Sequence, residues 1–167
     1  IDRKDDIMIV GLSYGGASLL RATLDPRMQS PKPKSILSYG TYYSIGTALD
    51  FFMTGIIKYD NITYQITPHE WGPIVLFYNF IDTIDTTYDK IKLKQILKYR
   101  IKDQDEQVKK EMKKLEDCKE KQLLENILAG NLTEEMKDLV QMMIEKNNDL
   151  LSYLSPENWI QKIKYKV

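Results

Sequence analysis

The sequence has little of what would commit it to several broad functions. Its 167 residues hold one cysteine, Cys118, and one histidine, His69. A single cysteine excludes an internal disulfide, and its place in a charged helical stretch makes Cys118 a surface thiol. One His and one Cys far apart have no metal-ligand spacing, so no metal is expected. Lys plus Arg and Asp plus Glu both number 24, giving a formal net charge of zero. Such a chain exerts no long-range pull on nucleic acid or on an anionic membrane, and no nucleic-acid partner is expected. No apolar run approaches the ~20 residues that span a bilayer. Phosphate-binding signatures are missing too. Gly-x-x-x-x-Gly-Lys-[Ser/Thr] does not occur, and Gly11, Ser13 and Gly15 do not fit Gly-x-Gly-x-x-Gly. No signal peptide precedes the first apolar run. The first residue is Ile1 rather than Met, from which a true start further upstream is expected. The compartment stays open, with the cytoplasm favoured.

What is present is concentrated near the start. Gly11-Leu12-Ser13-Tyr14-Gly15 reads Gly-x-Ser-x-Gly. The apolar run Ile7-Met8-Ile9-Val10 precedes it, and the amphipathic stretch Gly16-Ala17-Ser18-Leu19-Leu20-Arg21 follows. Strand, sharp turn and helix form the context a nucleophile elbow requires. The turn would lift the Ser13 hydroxyl clear of the sheet edge, while Gly11, Gly15 and Gly16 let strand and helix pass close together. The free N–H groups of the helix start face the same site, and that of Tyr14 is placed to stabilise an oxyanion. The plainer alternative is a tight strand-to-helix turn in some other α/β protein.

The remainder divides by character. Residues 35–39 read as a second strand, completing a βαβ unit through the loop Ser30-Pro31-Lys32-Pro33. Ser44 or a neighbour is placed to cap an apolar helix through Ile45, Leu49, Phe51, Phe52 and Met53. Residues 56–66 read as a small hairpin around Asp60-Asn61. From Thr67 the chain reads as helices. Thr67-Pro68-His69-Glu70 looks like a helix start, and Trp71, Ile74, Phe77 and Ile81 follow on more than one face. A helix over about 86–101 comes next. Residues 102–128 carry a thin apolar stripe in a charged background and read as one exposed helix packed along a seam. Gly130 ends it and Thr133 caps the next, which runs to about residue 152. A short helix over Pro156, Trp159 and Ile160 precedes what looks like a strand beginning at Lys164.

This pattern resembles the α/β-hydrolase family, on the elbow at 11–15, the helix after it, the strand at 35–39 and the helices inserted before a new strand. The resemblance implies a partial α/β-hydrolase sheet over 1–58, a large all-helical cap or lid over 59–163, and the next core strand from 164. It implies Ser13 as nucleophile and the Tyr14 backbone N–H as one oxyanion donor. The family's acid and histidine follow later in chain order. The chain is thus expected to be an internal fragment of a serine hydrolase, inactive alone, that acts on an ester or other acyl substrate through an acyl-enzyme. His69, Asp50, Asp82, Asp85 and Asp89 fit helix starts and polar faces better than catalysis. An apolar, aromatic lining of Tyr42, Tyr43, Phe52 and Trp71 favours a small acyl ester or a lipid. No cofactor is expected, and the oligomeric state is open. Two alternatives remain: acyl transfer from the same serine, and a non-catalytic helical interaction module on a degenerate scaffold.

Overall fold

The computed structural model describes residues 7–29, 32–116 and 118–164. The chain is mixed α/β, with eight α-helices and two two-stranded sheets among these residues. It forms two compact units, Ile1–Ala48 with Asp149–Val167, and Leu49–Asn148. The sequence reading divides it instead after residue 58 and at residue 163.

In the first unit, β1 (Met8–Leu12) runs parallel to β2 (Ser35–Tyr39), with Val10 opposite Leu37 and Leu12 opposite Tyr39. The crossover contains α1 (Tyr14–Ala22) and packs on both strands. Side chains alternate across a strand, so the sheet has two unlike faces. Gly11 and Ile36 are buried beneath α1, whereas Met8, Val10, Leu12, Leu37 and Tyr39 all stand exposed. Part of the return loop, residues 30–31, lies outside the described residues.

The C-terminal segment belongs to this unit for specific reasons. Ser155 is buried and its hydroxyl accepts the Ile45 N–H at 3.0 Å. The Ser44 hydroxyl donates to Glu157 at 2.7 Å instead of capping α2 (Ile45–Thr54). Two 3-10 turns, Pro156–Asn158 and Ile160–Lys162, replace the expected short helix. Lys164 has no regular structure, and the rest of the strand expected there lies outside the described residues.

The second unit is not all-helical. It holds the hairpin β3 (Ile56–Tyr59) and β4 (Ile62–Gln65), turned by Asp60 and Asn61 at φ 47° and 62°. Positive φ at both central residues is the geometry a two-residue hairpin favours. Helix α3 is Trp71–Phe80, three residues later than the start at Pro68 that a Thr67 cap suggests. Pro73 then falls within the first turn, where a missing N–H costs no helical hydrogen bond. Helix α4 (Lys90–Ile101) starts where the Asp89 carboxylate accepts the Lys92 N–H at 3.0 Å. The expected single helix over 102–128 is two, α5 (Asp105–Lys114) and α6 (Lys119–Ala129). Leu115 turns into the core between them, and burying it outweighs the charged stretch's tendency to continue. Gly130, left-handed at φ 69°, ends α6, and the Thr133 hydroxyl caps α7 (Glu134–Lys146). Asn147 interrupts the expected run to 152, and α8 (Asn148–Leu154) follows. Ile74, Phe77, Ile81, Leu93, Leu97, Leu124, Ile127 and Met136 are fully buried in this unit. Cys118 is half-buried rather than a surface thiol, and its side chain hydrogen-bonds Glu120.

Candidate functional site

The turn between β1 and α1 holds Ser13 at φ 50° and ψ −129°. This is a sparsely populated region for any residue with a side chain, and it costs of order 1–3 kcal/mol. The surroundings fix it. The Ser13 N–H donates to the Tyr39 carbonyl at 2.9 Å, tying the turn to the end of β2. The Gly16 N–H donates to the Ser13 carbonyl at 2.9 Å, closing the first helical turn. Ser13 is exposed and its hydroxyl does not cap α1. The N–H groups of Tyr14 and Gly15, at the first positions of α1, have no partner within the helix and face the same end.

The glycines divide by role. A Cβ on Gly11 would lie 2.7 Å from the Gly16 Cα, and one on Gly16 would lie 2.5 Å from the Ser38 hydroxyl and 2.9 Å from the Thr41 Cβ. Strand and helix therefore touch through Gly11 and Gly16. A Cβ on Gly15 would meet nothing within 4 Å. The hydroxyls of Ser38 and Thr41 are buried beside Gly16 and find no partner among the described residues.

The other sequence-predicted residues fall in both units. Tyr42 packs its ring on Tyr14 at 6.1 Å between centroids. Burial first, and the neighbouring Tyr14 second, raise the Tyr42 phenol above its ordinary pKa, so it stays a neutral donor. Tyr43 is exposed, and its carbonyl accepts the Glu157 N–H at 3.0 Å. Phe52 and Trp71 belong to the second unit. Phe52 lies so close to Gly72 that a Cβ there would be 2.8 Å from its ring, and the Arg100 guanidinium sits 5.2 Å from the Trp71 ring. His69 is in the second unit as well, and its Nδ1 accepts the Trp71 N–H at 3.3 Å. Asp89 is a helix cap and Asp82 pairs with Lys94. Asp50 and Asp85 are exposed.

Three residues that the sequence reading left unassigned stand along α1. Arg21 lies two turns beyond Tyr14, with its guanidinium over the rings of Tyr153 and Trp159. The seven-residue spacing on one helix face was a signal for Arg21. Nothing local announced the two rings, which come from the far end of the chain.

Among the described residues there is no group of His, Cys, Asp and Glu able to hold a metal, and no helix long and apolar enough to cross a membrane. Compared with known proteins, the chain matches no family model, no curated protein and no solved structure at a significant level.

Proposed function

We propose that Ser13 is the nucleophile of a serine hydrolase acting on an ester or other acyl substrate. The observation that carries the reading is the backbone of Ser13. A non-glycine residue is held at positive φ between a parallel strand and a helix, with its side chain exposed. Strain of this kind persists where the surrounding structure enforces it, and such sites cluster where chemistry is done. In this mechanism the Ser13 oxygen attacks the acyl carbonyl and the alcohol leaves. Water then cleaves the acyl-enzyme. The Tyr14 N–H, and beside it that of Gly15, stabilise the developing oxyanion.

The finer assignment, an α/β-hydrolase core with a helical lid, belongs to the same proposal. A parallel pair with one bare apolar face fits part of a wider sheet covered on both sides. The described residues of the sheet unit contain no histidine, so the base that activates Ser13 comes from elsewhere. Exposed Tyr14, with half-buried Tyr42 packed on it, gives the elbow an aromatic neighbour that suits an acyl ester or a lipid.

Fluorophosphonate labelling of the intact protein tests the reading. Label is expected on Ser13, and Ser13→Ala should abolish it and lower esterase turnover by several orders of magnitude. Normal turnover in that variant would falsify the assignment.

A further inference from the structure

The hairpin of the second unit is open to solvent on both faces. Apart from half-buried Ile56, every residue of β3 and β4 is exposed. Two strands alone are at best marginally stable in water, so such a hairpin is stabilised by whatever covers it. Its two faces are unlike. Side chains alternate along a strand, and residues directly opposite each other share a face. Ile57 pairs with Tyr64 and Tyr59 with Ile62, so these four stand together, and Ile66 continues the row just beyond β4. The reverse face carries Lys58, Thr63 and Gln65 beside Ile56. The Gln65 amide donates to the Thr54 carbonyl at 3.0 Å, tying the polar face to the end of α2. The Ile66 N–H donates to the Gly55 carbonyl at 2.8 Å and closes the base of the hairpin.

The apolar face is bare. Tyr59 is 72% exposed, Ile62 52% and Ile66 49%, and Ile57 and Tyr64 are exposed as well. Together these side chains show on the order of 500 Å² of surface, a large patch for a monomer. The only formal charges on the hairpin, Lys58 and Asp60, cancel, which leaves nothing to draw a nucleic acid or an anionic membrane. Insertion into lipid would lead with the polar Asp60-Asn61 turn, and burying that carboxylate opposes it.

A second copy of the chain meets these conditions. Two such faces stacked about a two-fold axis bury roughly 1,000 Å² in all, the lower limit for a specific interface. A face without charge meets its own copy without repulsion, and tyrosine is favoured in the centre of such contacts. Two-fold pairing requires no surface besides this one.

We infer that the chain forms a weak two-fold dimer in which the faces carrying Ile57, Tyr59, Ile62, Tyr64 and Ile66 stack on each other. The pairing is independent of any chemistry at Ser13.

Sedimentation velocity of the chain tests it. An interface of this size should give a Kd on the order of 10 µM, hence a monomer at about 1 µM and mostly dimer at about 200 µM. Ile62→Glu puts a charge into the stack from each copy and should weaken pairing at least about ten-fold. Thr63→Glu, on the reverse face, and Leu37→Glu, on the bare face of the parallel pair, should leave the Kd within about two-fold. A monomer at 200 µM overturns the inference, as does a dimer that survives Ile62→Glu. Loss of the dimer with Leu37→Glu but not with Ile62→Glu would move the contact to the parallel pair and overturns it too. A monomer that floats with neutral phosphatidylcholine vesicles would give the face to lipid instead. Should Ile62→Glu fail to fold, hydrogen exchange of the unaltered chain at the two concentrations decides. Slower exchange over residues 56–65 at the higher concentration supports the pairing, and unchanged exchange overturns it.

Discussion

The two units solve the problem of burial differently. The helices of the second unit enclose a core in which Phe77, Leu93, Leu124 and Met136 have no exposure left, although its hairpin leaves Tyr59, Ile62 and Tyr64 exposed. The sheet unit covers one face of its parallel pair with α1 and leaves five large apolar side chains of the other face in the open. It also contains the strained serine and, among the described residues, two buried hydroxyls without partners. In the sheet unit the buried hydroxyls without described partners lie beside the first turn of α1, next to the strained turn at Ser13. That is where a site is expected, because residues arranged for chemistry are not free to optimise stability.

The largest expected contrast is in the cores. Phe77→Ala should destabilise the helical unit by about 3–5 kcal/mol, since the ring is fully buried and its removal leaves a cavity. Leu37→Ala, on the bare face, should change stability by no more than about 0.5 kcal/mol. Urea denaturation of both variants measures the difference. Equal losses would break the comparison, because Leu37 would then have to be covered in solution.

The second contrast lies inside the elbow. Gly16→Ala places a methyl group into Ser38 and Thr41 and should cost about 1–3 kcal/mol. Gly15→Ala places one in open space on a helix and should stabilise by about 0.5–1 kcal/mol. If both substitutions behave alike, strand and helix are not held together where these distances put the contact.

Local chemistry made much of this readable beforehand. The elbow, both strands of the parallel pair, the hairpin at Asp60-Asn61, the Gly130 stop and the Thr133 cap each depend on a few adjacent residues. Helix boundaries set by tertiary packing were not readable. Leu115 breaks 102–128 in two because the core takes it, and Asn147 ends α7 while its side chain donates to the Thr83 hydroxyl at 2.7 Å. The candidate site shows the same split. Ser13 and Tyr14 announce themselves through a five-residue motif, but the Arg21 platform needs Tyr153 and Trp159, more than 130 residues away. No periodicity links residues at that separation.

The smallest expected effect concerns how each unit fastens a turn. In the helical unit, the segment between α3 and α4 is held by burial of Ile81 and Ile84. In the sheet unit, the turn after α1 is held at the surface by Asp25 and Arg27. The Arg27 side chain donates two hydrogen bonds to the Asp25 carboxylate, at 2.9 and 2.6 Å, and its backbone N–H donates a third at 2.9 Å. These bonds, the side-chain pair first, lower the Asp25 pKa from 3.8 to about 2. The folded state therefore binds this proton less readily than the unfolded state does. The contribution is complete above pH 3.8 and is lost as the pH falls through about 2. The pair is exposed, so salt screens it and its effect on stability is small. Carbon-13 NMR of the Asp25 carboxyl should give a midpoint near 2, and Arg27→Ala should move it upward toward 3.8 while the backbone bond keeps part of the shift. A midpoint already at 3.8 in the unaltered chain would mean that neither the ion pair nor burial fastens this turn, and the sheet unit would be looser still than its bare face implies.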